Sequence, residues 1–97
     1  MNILLVCAGG LSTGLLIRKL KAYWQQTGEP LNIAAAGLAD YQQVSQDAQI
    51  ILVGPQVAYR LDEIREVSQK PCAAIDSTDY ALGRCENIYQ LAHSLAE

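Results

Sequence analysis

Four short aliphatic runs punctuate the chain, and between them apolar residues recur at helical spacing. Ile3 to Val6 is continuously aliphatic, the pattern of a strand buried on both faces. From Thr13 to about Thr27, Leu16, Ile17, Leu20, Tyr23 and Trp24 mark one side of a helix, and Arg18, Lys21 and Gln25 the other. Gly28 closes that helix, with Pro30 just beyond. Leu31 to Ala36 reads as a second, weaker strand ended by Gly37, and Asp40 caps a short helix through about Gln46. Ile50 to Val53 is the third strand, halted by Gly54-Pro55. Val57, Leu61, Ile64 and Val67 give a third helix, and Pro71 introduces a fourth strand, Cys72 to Ile75. Asp76-Ser77-Thr78-Asp79 forms a turn and cap. Leu82, Cys85, Ile88, Ala92 and Leu95 mark one face of a single last helix.

Strand and helix thus alternate four times without a repeat or a linker, so residues 1–97 are expected to form one domain. Right-handed crossovers with helices on both faces give an α/β fold: an open four-stranded parallel sheet of order 2-1-3-4. This is a flavodoxin-like, low-molecular-weight-phosphatase-like arrangement. Chain direction across the sheet switches between strands 1 and 3. The loops after Val6 and Val53 therefore lie side by side, where such sheets bind ligands.

Composition narrows the functions this fold could serve. Half the residues are hydrophobic (51%), enough to build a core without disulfide or metal support. A net charge of −3 offers no basic stripe for phosphate backbones, which argues against nucleic acid as a partner. Arg18, Lys19 and Lys21 cluster, but on the solvated side of the first helix. No apolar run approaches the roughly 18 residues needed to span a bilayer. The amino terminus lacks the features of a signal peptide. Three cysteines without paired spacing suit a reducing compartment, so a cytoplasmic location is expected.

The chemistry concentrates in Cys7-Ala8-Gly9-Gly10-Leu11-Ser12-Thr13, at the join of the first strand and first helix. A glycine-rich loop entering a helix aims backbone N–H groups into one concavity, and the helix dipole adds partial positive charge. Such a nest binds an anion and also stabilises a thiolate, since cysteines at helix amino termini titrate at about 3.5–7.5. Cys7 is therefore placed as a nucleophile and as the carrier of a phosphoryl group. Ser12 and Thr13 can cap the helix or donate to phosphate oxygens.

Competing motifs fail on particular residues. A Walker A loop needs lysine where Leu15 follows Gly14. The dinucleotide fingerprint needs spaced glycines and an acidic residue where Ala34-Ala35-Ala36 stand. Gly10 replaces the second cysteine of a C-x-x-C pair. The nearest rival is a phosphatase loop, cysteine then five residues then arginine, but here the sixth residue is Thr13. Without a bidentate guanidinium the loop can hold phosphate on sulfur yet is ill-equipped to hydrolyse it. No metal-ligand spacing or paired acidic residues appear, and no cofactor is implied.

These segments resemble one family. "VCAGGLSTGLL" is similar to the phosphocysteine loop of IIB components of the bacterial phosphoenolpyruvate-dependent sugar phosphotransferase system, in the lactose, cellobiose and diacetylchitobiose branch. "IILVGPQVAYRLDEI" (residues 50–64) and "AIDSTDY" (74–80) resemble further segments of it, in the same order. The resemblance implies that Cys7 accepts a phosphoryl group from the phosphohistidine of a IIA protein. Cys7 would then pass it to a sugar, a disaccharide by the branch, held by the membrane IIC permease during uptake. It implies that backbone amides of Ala8, Gly9, Gly10, Leu11, Ser12 and Thr13 hold the phosphate, with Gly54-Pro55-Gln56 as the adjoining wall. The usual family loop, C-S-A-G-M-S-T, here becomes C-A-G-G-L-S-T.

Other chemistry-bearing residues admit plainer readings. Cys72 and Cys85 are expected to pack in the core, and His93, the only histidine, to lie exposed on the last helix. Asp62, Glu63 and Glu66 read as a solvated helix face. Leu11, Val57 and Tyr59 are either core or an apolar rim on which IIA and IIC dock in turn. Tyr80 is within reach of the site from the loop after the fourth strand. Two other functions stay open: a degenerate low-molecular-weight phosphatase or arsenate-reductase-like hydrolase, and a non-catalytic anion-binding module in which Cys7 is merely buried.

Overall fold

The aliphatic run of the first strand becomes β1 (Asn2–Val6), one of two central strands in a four-stranded sheet of order β2-β1-β3-β4. The computed structural model describes residues 1–8 and 11–97, and for Leu11 and Ser12 only the backbone. The remaining elements are α1 (Leu11–Thr27), β2 (Asn32–Ala36), α2 (Tyr41–Val44), β3 (Ile50–Val53), α3 (Leu61–Ser68), β4 (Cys72–Ala74), α4 (Ser77–Leu82) and α5 (Cys85–Ala96). All three strand pairings are parallel; β1 sets Ile3 against Ile33 on one side and Ile50 on the other. The expected sheet order is therefore the observed one.

Alternation along the strands divides the core in two. Ile3, Leu5, Ile50 and Leu52 face α1 and α5, meeting Leu16, Leu20, Trp24, Ile88 and Ala92. Leu4, Val6, Ile51 and Val53 face the other way, toward Tyr41, Val57, Ile64 and Cys72. Each such buried aliphatic side chain contributes about 1.5–3 kcal/mol. Edge strand β2, built on Ala34-Ala35-Ala36, is half exposed, as its composition foretells.

Several boundaries differ from the sequence reading. Helix α1 starts at Leu11, two residues before Thr13. Asp40 occupies the position before α2 but makes no capping bond through its side chain, and α2 is one turn followed by a 3₁₀ turn, Ser45–Asp47. Val57 belongs to a 3₁₀ segment, Pro55–Arg60, so α3 has only eight residues. In so short a helix Ile64 alone is fully buried, and Val67 is 46% exposed. Strand β4 ends at Ala74, one residue before Ile75.

The last helix is two helices. Gly83 takes a left-handed conformation (φ 64°) and ends α4. The N–H of Arg84 returns to the Asp79 carbonyl at 2.9 Å and that of Gly83 to Tyr80 at 3.4 Å, a Schellman stop. The break turns Leu82 outward, 59% exposed, rather than onto the core face expected for it. The predicted cap does form: the Asp76 carboxylate accepts from the N–H groups of Thr78 and Asp79.

Candidate functional site

Cys7 is the first residue beyond β1. Its N–H donates to the Ala36 carbonyl at 3.1 Å, while the N–H of Gly54 donates to the Val6 carbonyl at 2.8 Å. The first bond ties the end of β1 to β2, and the second draws the loops after β1 and β3 together at the carboxyl end of the sheet, where strand order reverses. By alternation Cys7 follows Ile3 and Leu5 and so points to the α1/α5 face, and it is 2% exposed.

Two hydroxyls meet it there. Thr13, in the first turn of α1, donates from Oγ1 to Cys7 Sγ at 3.5 Å. The same oxygen lies 2.9 Å from the Tyr80 hydroxyl, which arrives from α4. Thr13 and Tyr80 are both buried. Tyr80, which the sequence placed only within reach of the site, is thus one bond removed from the sulfur.

Gly54 closes the arrangement from the β3 side. A Cβ there would fall 3.1 Å from Gln56 Oε1, 3.4 Å from Cys7 Cβ and 3.6 Å from Tyr80 Cε2. A side chain here would touch Cys7 and Tyr80 at ordinary contact distance and would push the Gln56 amide aside, so the glycine leaves this flank of the cysteine uncrowded. Gln56 is exposed and Pro55 half-buried, and of the Gly54-Pro55-Gln56 segment it is Gly54 that lies against Cys7. A cavity of about 280 Å³ opens beside the sulfur between α1 and β2, lined by Cys7, Thr13, Gly14, Ile17, Ala35, Ala36 and Gly37.

The other expected residues divide. Ala8 is exposed. Gly9 and Gly10, and the side chains of Leu11 and Ser12, lie outside the described residues. Of the two apolar positions after β3, Val57 is buried in the core, whereas Tyr59 stands 77% exposed. Cys72 is buried and Cys85 half-buried, as read from the sequence. Burial pushes both thiols above their ordinary range, opposed at Cys72 by the Ser68 hydroxyl and Arg65 and at Cys85 by Lys19.

His93, expected to lie exposed, is half-buried and paired. Its Nε2 lies 3.0 Å from the Glu29 carboxylate, which also accepts from the Trp24 indole N–H at 2.7 Å. Among the described residues no cluster of three His, Cys, Asp or Glu side chains could hold a metal. No described helix is long and apolar enough to cross a membrane.

Comparison with known proteins gives this site a context. The family model described as "PTS system, Lactose/Cellobiose specific IIB subunit" matches residues 2–90. The oligo-beta-mannoside-specific EIIB component of Bacillus subtilis is 32% identical over 97 residues, covering 97% of this chain and 94% of that protein. A lactose-specific EIICB component of Staphylococcus epidermidis is 34% identical over 65 residues, 67% of this chain and 11% of that longer protein. Among solved structures, the lactose-specific IIB domain of Streptococcus pneumoniae superposes with a TM-score of 0.86 over 100% of this chain and 98% of that one. Its sequence identity is 15%, a likeness of fold.

Proposed function

The chain belongs to the lactose/cellobiose-specific IIB subunits of the sugar phosphotransferase system, components that transfer a phosphoryl group toward sugar, and we propose that Cys7 is the residue that carries it. The family implies IIA and IIC partners in general. On our reading the donor is a phosphohistidine of IIA and the acceptor a sugar hydroxyl presented by membrane IIC. Residues 1–97 act as one IIB domain on the cytoplasmic side. The longer EIICB relative, whose name joins the two components, supports a direct hand-over to IIC.

Loading forms a bond from Cys7 Sγ to phosphorus as the donor's N–P bond breaks and the imidazole leaves. Delivery reverses the roles: the sugar oxygen attacks phosphorus, the S–P bond breaks, and a thiolate returns to Cys7 while the hydroxyl proton goes to a base outside this chain. Both steps are easier where the thiolate is stabilised, which a helix amino terminus and a hydroxyl donor accomplish. Backbone amides of residues 8–13 hold the phosphate, and Gly54 leaves room beside the sulfur for it. Thr13, at the position where a phosphatase loop carries arginine, leaves the S–P bond without the guanidinium that would speed its loss to water.

The observation that carries this reading is the sulfur of Cys7 at the head of α1 with the Thr13 hydroxyl upon it. The test is a reconstituted relay from phosphoenolpyruvate through IIA to membranes bearing a lactose/cellobiose-type IIC. Sugar phosphate should form only when this chain is present and should vanish with Cys7→Ser. Undiminished sugar phosphate with Cys7→Ser overturns the assignment. Steady turnover of an aryl phosphate that depends on Cys7 would overturn it in favour of a hydrolase.

A further inference from the structure

Thr13 Oγ1 stands between Cys7 Sγ and the Tyr80 hydroxyl, and a thiolate at Cys7 fixes the direction of both hydrogen bonds. Thr13 has one hydroxyl proton, and a thiolate 3.5 Å away can only be its acceptor. Its oxygen can then only accept from Tyr80, 2.9 Å away, so the tyrosine must be the donor. The order Tyr80 to Thr13 to Cys7 is compulsory when the sulfur is a thiolate, which has lone pairs and no proton. Once sulfur bonds to phosphorus its lone pairs accept poorly, and the reason for that order disappears.

We propose that Tyr80 is a positioning residue for Cys7: its hydroxyl keeps the Thr13 proton on the sulfur and so favours the thiolate as attacking nucleophile and as leaving group. The inference rests on Cys7 as the phosphoryl carrier and names a group, 67 residues from Thr13 in sequence, that tunes it. Tyr80 is held for the task. Its N–H donates to the Asp76 carbonyl at 2.9 Å, and its ring edge lies against Gly54. The Schellman stop at Gly83 ends α4 three residues later, and Asn87 of α5 donates to the Asp79 carboxylate at 3.0 Å, so the short helix that presents the hydroxyl is fixed at its far end. Burial sharpens the effect, because hydrogen bonds in series polarise one another where water is excluded.

In the loading step the thiolate electron pair forms the S–P bond while the N–P bond breaks toward the donor imidazole. The thiol proton has already passed to solvent. Delivery returns the electron pair to sulfur, where the Thr13 proton again meets it. A single device therefore acts on both half-reactions.

The test follows alkylation of Cys7 at one near-neutral pH, quantified on the Cys7 peptide by mass, in the full-length chain. Thr13→Val should slow the reaction by about tenfold to a hundredfold, the worth of a hydrogen bond to a charged group. Tyr80→Phe should slow it about fivefold, and Thr13→Ser should restore nearly the wild-type rate. In the Thr13→Val background Tyr80→Phe should add nothing, since its route to sulfur is gone. A merely structural tyrosine would not show that pattern. Tyr80→Phe equal to wild type, or an undiminished effect of Tyr80→Phe without the Thr13 hydroxyl, overturns the proposal. Alkylation needs no phosphoryl donor, so this result stands even if Cys7 proves to carry no phosphate.

Discussion

Helix α1 is tied to the last quarter of the chain at both ends, each time by a polar sequence of three side chains, yet the two ties serve different ends. At its head, Tyr80 and Thr13 lead to Cys7. At its foot, His93 and Glu29 lead to Trp24. The foot is set among aromatic rings: Trp24 and Tyr89 lie 4.8 Å apart between centroids, Tyr89 and His93 4.4 Å, Tyr23 and Tyr89 5.5 Å. The head has small neighbours, a cavity and Gly54 set against the cysteine. A bond that ends on an indole N–H can only hold α1 and α5 together. One that ends on a thiolate changes what the sulfur can do. Stability thus concentrates at the amino end of the sheet and reactivity at the carboxyl end.

The comparison breaks most readily at the foot. Trp24→Ala should destabilise the fold by about 3–5 kcal/mol, as expected for removing a fully buried aromatic, while Cys7 in the folded fraction still alkylates at its normal rate. Urea unfolding and peptide mapping read the two effects separately. A large change in Cys7 reactivity would mean the two ends are coupled. Glu29→Ala comes next, at about 1–3 kcal/mol, because it leaves the buried indole N–H unpaired; Glu29→Gln keeps an acceptor and should recover most of the loss.

Smaller effects separate the cysteines. Burial holds the thiols of Cys72 and Cys85 above their ordinary range in the fold. Below that range both states are protonated and the thiols are neutral toward pH. As pH rises from the ordinary thiol range toward the folded values, the unfolded chain ionises first and stability falls. Unfolding midpoints measured across the alkaline range should decline, and less steeply in Cys72→Ala. The smallest effect belongs to Leu82→Ser, within about 0.5 kcal/mol, since Leu82 faces solvent. A cost of several times that figure would restore the continuous last helix that the spacing of Leu82 and Cys85 suggests.

That spacing shows where a sequence misleads. Leu82 and Cys85 are three residues apart, as on one helical face, and the pattern runs straight across the glycine that ends α4. Gly83 is itself the signal, the left-handed stop that Gly28 correctly marked at the end of α1. The sheet was readable because Ile3–Val6 and Ile50–Val53 are uninterrupted aliphatic runs, which only a doubly covered strand tolerates. From them the strand order and the position of Cys7 follow.

Partners of the site residues were less accessible. Thr13 was readable as a loop residue, but its bond to the sulfur depends on the pitch of the first turn of α1. Tyr80 meets Thr13 only because α4 packs over Gly54, a contact between segments far apart in the chain. His93 read as exposed because nothing near it in sequence covers it; Glu29, 64 residues earlier, pairs with it.

The most direct measurement is the intact and peptide mass of this chain after incubation with a phosphorylated IIA protein of the lactose/cellobiose branch. The account predicts one phosphoryl adduct on the wild type, located on the peptide containing Cys7 and absent from Cys7→Ser. An adduct that persists in Cys7→Ser, or that maps to any other residue, would contradict it.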